Sequence, residues 1–514
     1  MWRRLAGVGA VAALAVVLAM AAATSWATTP IGPQTRVSAM GPDGTPTLTG
    51  GFAAVAHNPR ADQYLVVWQG DAAVDGDVEV WGRLLAADGT PLGAQIRISD
   101  MGPDGNPAYT ARDPRVAYNP RADEYLVVWS GDDDRAPLAN NEHEVFAQRL
   151  SAAGAEVGAN DVRVSDMGPD GSVLYGASDA DVAYDPQADE YLVVWAGDDD
   201  TAPLVDDEYE IFAQRLSAAG AEVGANDVRV SDMGPDGSGL SGAANPAVAY
   251  DPRAQEYLVV WYGDDTTPPL ADDEWEVFAQ RLSATGAQVG PNDLRVSDMG
   301  PDGDARFVGA EPSVAYNGRA DEYLVAWLGD DGTAPLVDGE FEVYAQRLSA
   351  AGAEVGVNDV RISDMGPDGS AAFAAGEPSV AYDVRSDEYL VAWYGDDDAA
   401  PLVDGEAEIH AQRLSAAGAE VGGNDVRVSA MGPDGNPGFD AFFPAVVANS
   451  RANEYLIAWH GDDAAPPLAD NEWEVWVRRF GAGAVVADPA PVCAARPPLP
   501  APRAWWVFAS TAWP

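Results

Sequence analysis

The segment Met-Gly-Pro-Asp-Gly begins at Met40, Met101, Met167, Met233, Met299, Met365 and Met431, a spacing of 61 residues once and 66 residues five times. A tryptophan closing Tyr-Leu-Val-Val-Trp, or a close variant, recurs in step at Trp68, Trp129, Trp195, Trp261, Trp327, Trp393 and Trp459. A chain of 514 residues would otherwise divide into about three domains. A fixed internal period overrides that expectation, because each unit must bury its apolar face against the next.

Within each unit the apolar spacing is that of strands, and no stretch shows the i, i+3, i+4 pattern of a helix. Around Trp261 four strands are predicted, at 246–250, 257–262, 275–282 and 289–297, separated by turn-rich segments such as Asp251-Pro-Arg-Ala-Gln-Glu256. The second strand is apolar on both faces and the fourth alternates. A radial blade needs that pattern, with inner strands sandwiched between neighbours and an outer strand partly wet.

The chain ends choose among separate sandwiches, an open solenoid and a closed ring. The last unit has strands at 444–447, 455–459 and 473–480 but no Val-Arg-Val-Ser strand after them; an equivalent, Thr35-Arg36-Val37-Ser38, stands before the first Met-Gly-Pro-Asp-Gly. A vacancy at one end and a spare strand at the other fit a ring that hides both sheet edges. The expected fold is all-β, a seven-bladed β-propeller of four-stranded antiparallel blades, closed by an N-terminal strand that completes the last blade.

The units read Pro312-Ser-Val-Ala-Tyr316, Tyr323-Leu-Val-Ala-Trp327 and Gln346-Arg-Leu348, and in this the chain resembles secreted bacterial β-propeller repeat proteins over nearly all of residues 34–480. The resemblance implies the fold far more than a function. WD and kelch signatures are absent, and the unit is longer than either of those repeats.

Met1-Trp-Arg-Arg4, an apolar run from Leu5 to about Ala23 and Ser25-Trp26-Ala27 read as a signal peptide over residues 1–27, with a retained membrane anchor as the other reading. No later segment approaches the ~18 apolar residues that a spanning helix needs. The product is expected to be secreted, periplasmic or at the cell surface, with no transmembrane segment in the mature chain. Residues 481–514 form a Pro/Ala-rich tail expected to be disordered.

The chain carries 82 acidic and 29 basic residues, a net charge of −53, and every basic residue is arginine. Such a charge excludes nucleic acid as a partner and favours cations or a basic protein surface, although GC-rich coding or a salty habitat would also produce it. The lone cysteine, Cys493, cannot form an intramolecular disulfide.

The long segment between the second and third strands collects acid. From Gly197 it reads Gly-Asp-Asp-Asp-Thr-Ala-Pro-Leu-Val-Asp-Asp-Glu-Tyr-Glu210. Asp198, Asp199, Asp206 and Glu208 are the candidate ligands for calcium, which takes six to eight oxygens. Solvated acidic turns are the alternative, and the shorter first loop, with only Asp71, Asp75 and Asp77, speaks for it.

Two positions near this acidic face vary between otherwise similar repeats, one between the paired acids that open the third strand and one just after the second-strand tryptophan. They supply Tyr209, Trp275, Phe341 and Trp473, and Tyr262 and Tyr394, as candidate ligand-binding residues for a carbohydrate or a cationic partner, with rim packing as the alternative. Catalysis needs one differentiated site, whereas these acids recur around the ring. The expectation is therefore an exported, non-catalytic binding or scaffolding propeller. The alternative is a carbohydrate-active enzyme, a glycoside hydrolase or lyase, on the same fold.

Overall fold

The computed structural model describes residues 29–486 apart from 134, 240, 464 and 465. The signal peptide expected over 1–27 lies outside the described residues, as does the expected tail 481–514 except for its first six residues, which are docked, with the Val486 amide donating to the Arg385 carbonyl at 2.8 Å. Twenty-eight strands form seven antiparallel sheets of four, and the described residues contain no helix. The fourth blade runs from inner to outer strand as Gly242–Asp251, Glu256–Asp264, Trp275–Ser283 and Gln288–Arg295. The inner strand of each blade lies against those of both neighbours, blade 7 against blade 1 included, so the blades form a closed ring.

Closure follows the arrangement of the chain ends. Pro30–Arg36 pairs with Trp473–Gly481 as the outer strand of blade 7, with Thr35 opposite Val477 and Arg36 opposite Trp476. The Val37 amide extends the ladder by donating to the Val475 carbonyl at 2.7 Å.

The second strands supply the core. Each tryptophan of the Tyr-Leu-Val-Val-Trp series is fully buried, and Trp261 packs against Leu192, Val194, Ile211 and Val230 of the preceding blade. Truncating one of these rings to alanine should cost about 3–5 kcal/mol. The methionine of each Met-Gly-Pro-Asp-Gly loop is also buried, and Met40 Sδ lies 3.3 Å from Trp68 Nε1. The glycine after it has positive φ, and at Gly300 (φ +65°) a β-carbon would come within 2.3 Å of the Phe307 ring. Only glycine fits there.

Every inner strand contains a bulge that sets two of its residues opposite the single second-strand tryptophan. The first bulged residue is in the left-handed region in all seven blades: Phe52, Asp113, Asp179, Asn245, Glu311, Glu377 and Phe443, with φ between 45 and 55°. Asp and Asn tolerate this backbone, whereas Phe and Glu have no local reason to adopt it. Such residues cost on the order of 1–3 kcal/mol each and collect at functional sites.

Candidate active site at the axial mouth

Each inner strand starts just after its Met-Gly-Pro-Asp-Gly loop, so the bulges lie at the loop-bearing end of the axial channel. The bulged residues and their successors line a cavity of about 360 Å³ to which all seven inner strands contribute. Strand pairing places the residue after each second-strand tryptophan beside the bulge, as in Tyr262 opposite Ala244 and Tyr394 opposite Gly376.

A bulge frees an amide from its ladder, and several of these amides are met by a side chain from the preceding blade. The Asp113 amide donates to Gln69 Oε1 at 2.7 Å, the Phe443 amide to Glu377 Oε2 at 3.2 Å, and the Phe52 amide to His460 Nδ1 at 3.2 Å. One position further down the channel, Asp181 Oδ2 accepts the Val248 amide at 2.8 Å. With its side-chain amide turned to suit the acceptors around it, Asn245 Nδ2 donates to Asp179 Oδ2 and Oδ1 at 3.2 and 3.3 Å.

The ring is chemically one-sided. Asp113, Asp179, Asn245, Glu311 and Glu377 form a polar arc, and Phe52 and Phe443 close the remainder with ring centroids 4.2 Å apart. Burial, and then repulsion from Glu311, pushes Glu377 up to about 9; burial also raises Glu311, whose Oε2 is enclosed without a hydrogen-bond partner. Burial raises Asp113 and Asp181 as well, while Arg115 opposes both shifts. His460 is pushed down to about 4 by burial and is neutral, as its acceptor role requires. At neutral pH the mouth thus holds a protonated glutamic acid beside a second, enclosed carboxyl group.

The sequence-selected aromatic residues fall into separate groups. Trp473 packs on His460 and Phe442 (5.3 and 5.9 Å), and Tyr394 reaches the same cluster through Phe442 (5.1 Å), so both join the aromatic side of the mouth. Tyr262 and Trp275 form a pair 5.3 Å apart over blade 4. Tyr209 is exposed at the start of the third strand of blade 3, and Phe341 occupies the equivalent half-buried place in blade 5; both stand apart from these groups.

Asp198, Asp199, Asp206 and Glu208 do not converge. Glu208 is buried and accepts the Val205 amide and, through both oxygens, the Gly237 amide at 3.0–3.1 Å. Asp198 Oδ2 takes the Asp207 amide at 3.0 Å, Asp199 Oδ1 takes the Gly168 amide at 3.2 Å, and Asp206 is exposed. Among the described residues no group of three or more His, Cys, Asp or Glu side chains is arranged to hold a metal ion.

The paired acids opening the third strand recur for a related reason. Glu210 accepts the Met233 amide and the Ser231 hydroxyl and pairs with Arg229, and equivalent contacts repeat at Glu144 and Glu276. They pin the Met-Gly-Pro-Asp-Gly loops in place. Sequence reading missed the axial ring because the predicted inner strand began at Pro246, four residues after its observed start at Gly242 and just past Asn245. Aligning the residue before that proline across the repeats would have exposed a third variable column.

No family model matches the chain, and no curated protein is similar to it in sequence. Among solved structures it is similar to an α-L-arabinanase of Penicillium chrysogenum complexed with arabinobiose, at 12% identity over 73% of this chain and 94% of that one, with a TM-score of 0.43. It is also similar to a GH93 α-L-arabinofuranosidase of Fusarium graminearum, at 13% identity over 76% and 97% of the two chains (TM-score 0.44). An ulvan-cleaving polysaccharide lyase aligns at 8% identity over 88% and 98% (TM-score 0.49). At these values the likeness is one of overall fold and assigns no reaction to this chain.

The expectation of a non-catalytic binding or scaffolding propeller is nevertheless corrected. The solved structures similar to this chain include glycosidases and polysaccharide lyases but also a prolyl endopeptidase, so they show the fold alone, and the correction rests on the site itself. The physical ground for excluding an enzyme was that the acids recur without specialisation. That ground fails at the axis, where the seven equivalent positions differ in charge, size and protonation.

Proposed function

We propose that the protein is a carbohydrate-active enzyme of the glycoside-hydrolase type, working at the axial mouth on a neutral glycan. The observation that carries this reading is the Glu311–Glu377 pair. Two neighbouring carboxyl groups with one held protonated are what general acid catalysis of glycosidic cleavage requires. Glu377 would donate its proton to the leaving oxygen. Glu311 would serve as the partner carboxylate, and Phe52 and Phe443 would give a sugar ring an apolar face to lie against.

Hydrolysis is favoured over elimination by the charge of the site. Elimination would bring a uronate carboxylate against this acidic lining, where the one cavity-lining arginine among the described residues, Arg115, is already opposed to Asp113 and Asp181. An acidic lining repels uronates and admits neutral sugars. The N-terminal sequence over residues 1–27 supports a site of action outside the cytoplasm.

The full chain should release sugars from a neutral polysaccharide such as arabinan, and Glu377→Gln should lower kcat by about 10²–10⁴-fold with the fold retained. The basic limb of the rate profile should fall near pH 9, where Glu377 loses its proton. Turnover indifferent to Glu377→Gln, or absent on every neutral glycan tried, overturns the reading.

A further inference from the structure

The seams between blades carry a second set of differences between repeats. The outer strands of blades 2 to 6 contain Asn160-Asp161, Asn226-Asp227, Asn292-Asp293, Asn358-Asp359 and Asn424-Asp425, each aspartate with φ between 44 and 48°. In blades 1 and 7 a single glutamine, Gln95 or Gln34, replaces both residues.

Two further positions change with it. In the loop of the preceding blade the residue between serine and methionine is aspartate, as in Asp166, at the five aspartate seams, and Ala39 or Ala430 at the two glutamine seams. The third strand carries glutamine, as in Gln214, in blades 2 to 6 and Arg83 or Arg478 in blades 1 and 7.

The glutamine seams are fully paired. Gln95 Oε1 accepts the Ala39 amide at 3.0 Å; Gln34 Oε1 accepts the Ala430 amide at 3.0 Å while its Nε2 donates to the Ala430 carbonyl at 2.9 Å. Arg83 and Arg478 cross the same seams to the Val37 and Val428 carbonyls at 2.8 and 2.7 Å.

The aspartate seams are not. Each asparagine donates to its neighbour's Oδ2 at 2.6–2.8 Å, and each aspartate Oδ1 is buried with no hydrogen bond of good geometry, although the Asp232 amide is directed at Asp293 across its seam. Asp227 faces Glu144 and Asp166 of blade 2 and Glu222 and Asp199 of its own blade. Arg163, the cation of that cluster, is already bonded to Glu144, Asp166 and Asp170. Asp293 faces Glu210, Asp232 and Asp265; Asp359 faces Glu276, Asp298 and Glu354, with Arg295; Asp425 faces Glu342, Asp364, Glu420 and Asp397. Asp161 faces Glu79, Asp100 and Asp133 and has an additional arginine, Arg135, 3.6 Å from Oδ2.

We propose that the five seams from blade 1 to blade 6 are closed by protons, each aspartate standing as a carboxylic acid whose Oδ1 hydrogen faces the carboxylates across the seam. The two seams bounding blade 7 use an amide and an arginine and stay shut when those protons leave. Blade 7 is assembled from two distant stretches of chain, joined by strand pairing and by side-chain bonds such as Arg478 Nε to the Gly32 carbonyl, so it is where a loosened seam would open the ring. Its seams are the two built without a titratable aspartate.

Burial first, then the neighbouring carboxylates, pushes the five aspartates up to about 7. Their folded pKa lies above the unfolded value of about 3.9, so the stabilisation is complete below that value and is lost as pH rises through 7.

Hydrogen exchange of the full chain at pH 6 and 8.5, with chelator present and intrinsic rates corrected, tests this. Protection of the outer strands of blades 2 to 6 should fall about tenfold or more between the two conditions, while Pro30–Arg36 and Pro91–Arg97 change by less than about twofold. The double variant Asp227→Asn, Asp293→Asn should keep the protection of its two seams at pH 8.5. Equal loss in all seven outer strands, or variant seams that loosen like the parent's, overturns the proposal.

Discussion

The acids of the loop-bearing rim and the acids of the axial mouth are built from the same residues a short distance apart, yet they meet opposite fates. At the rim, Glu208 and Glu210 spend their oxygens on the Gly237 and Met233 amides, and the pattern repeats in blade after blade. At the mouth, Glu311 and Glu377 sit on a strained bulge whose occupant changes from blade to blade. Repetition marks the acids that hold the loops, whereas at the mouth the residue changes from blade to blade, which is what the proposed function draws on.

The largest effect that would break this contrast is on stability. Glu210→Ala leaves the Met233 amide, the Ser231 hydroxyl and the Arg229 guanidinium without their shared acceptor in a buried place. Breaking a buried pair of this kind costs about 3–5 kcal/mol, to be read from a urea unfolding curve. Turnover per folded molecule should be unchanged. A variant as stable as the parent would mean that the rim acids are not the pins of the Met-Gly-Pro-Asp-Gly loops.

Glu377→Gln should behave in the opposite way, sparing the fold and removing the activity. It also makes a stability prediction with a definite sign. Glu377 is raised to about 9 when folded, so its contribution is present at low pH and lost as pH rises through 9. The glutamine variant cannot lose it, and above pH 9 it should melt higher than the parent. Equal melting of the two proteins at pH 10 would argue against the enclosed, repelled carboxyl described at the mouth.

Much of this contrast was legible before any coordinates. The repeat count, the four-strand unit and closure by Thr35–Ser38 all came from spacing, because a propeller repeats its core as faithfully as its outline. The role of Glu208 was not legible, since a carboxylate that receives a backbone amide looks in sequence like one that awaits a cation. Nor was the axial ring, because a bulge inserts a residue whose side chain leaves the alternation of its strand. Tyr394 and Trp473 were singled out by their variation among repeats, without their meeting point at Phe442.

An intermediate effect is expected at that meeting point. Trp473→Ala removes the outermost ring of the cluster beside His460 and Phe442. If a sugar lies along the aromatic side, the loss of one stacking surface should raise KM several-fold, on the order of 1 kcal/mol, and leave kcat nearly unchanged. Phe341→Ala, in the equivalent position of blade 5, should change neither. Equal effects from the two variants would mean that the aromatic side of the mouth has no special part in binding.

The smallest effect separates the two readings of the rim loops. Asp198 is buried, its Oδ2 holds the Asp207 amide and its Oδ1 has no partner, and burial pushes it up to about 6. Its contribution to stability is complete below about pH 4 and fades as pH rises through 6, because deprotonation places a charge where nothing answers it. Asp198→Asn keeps an oxygen for the Asp207 amide and never ionises. At pH 8 it should melt no lower than the parent, by differential scanning calorimetry, and its stability should vary slightly less between pH 4 and 8. Equivalent aspartates in other blades, among them Asp132, Asp264 and Asp462, titrate in the same range, so one substitution removes a small share of the whole. The same scans with calcium and with sodium chloride at matched ionic strength complete the test. A loop that merely holds amides gives equal melting in both salts for parent and variant. A calcium-specific rise in the parent that Asp198→Asn abolishes would make these loops a metal site and end the division between acids that fold the ring and acids that act.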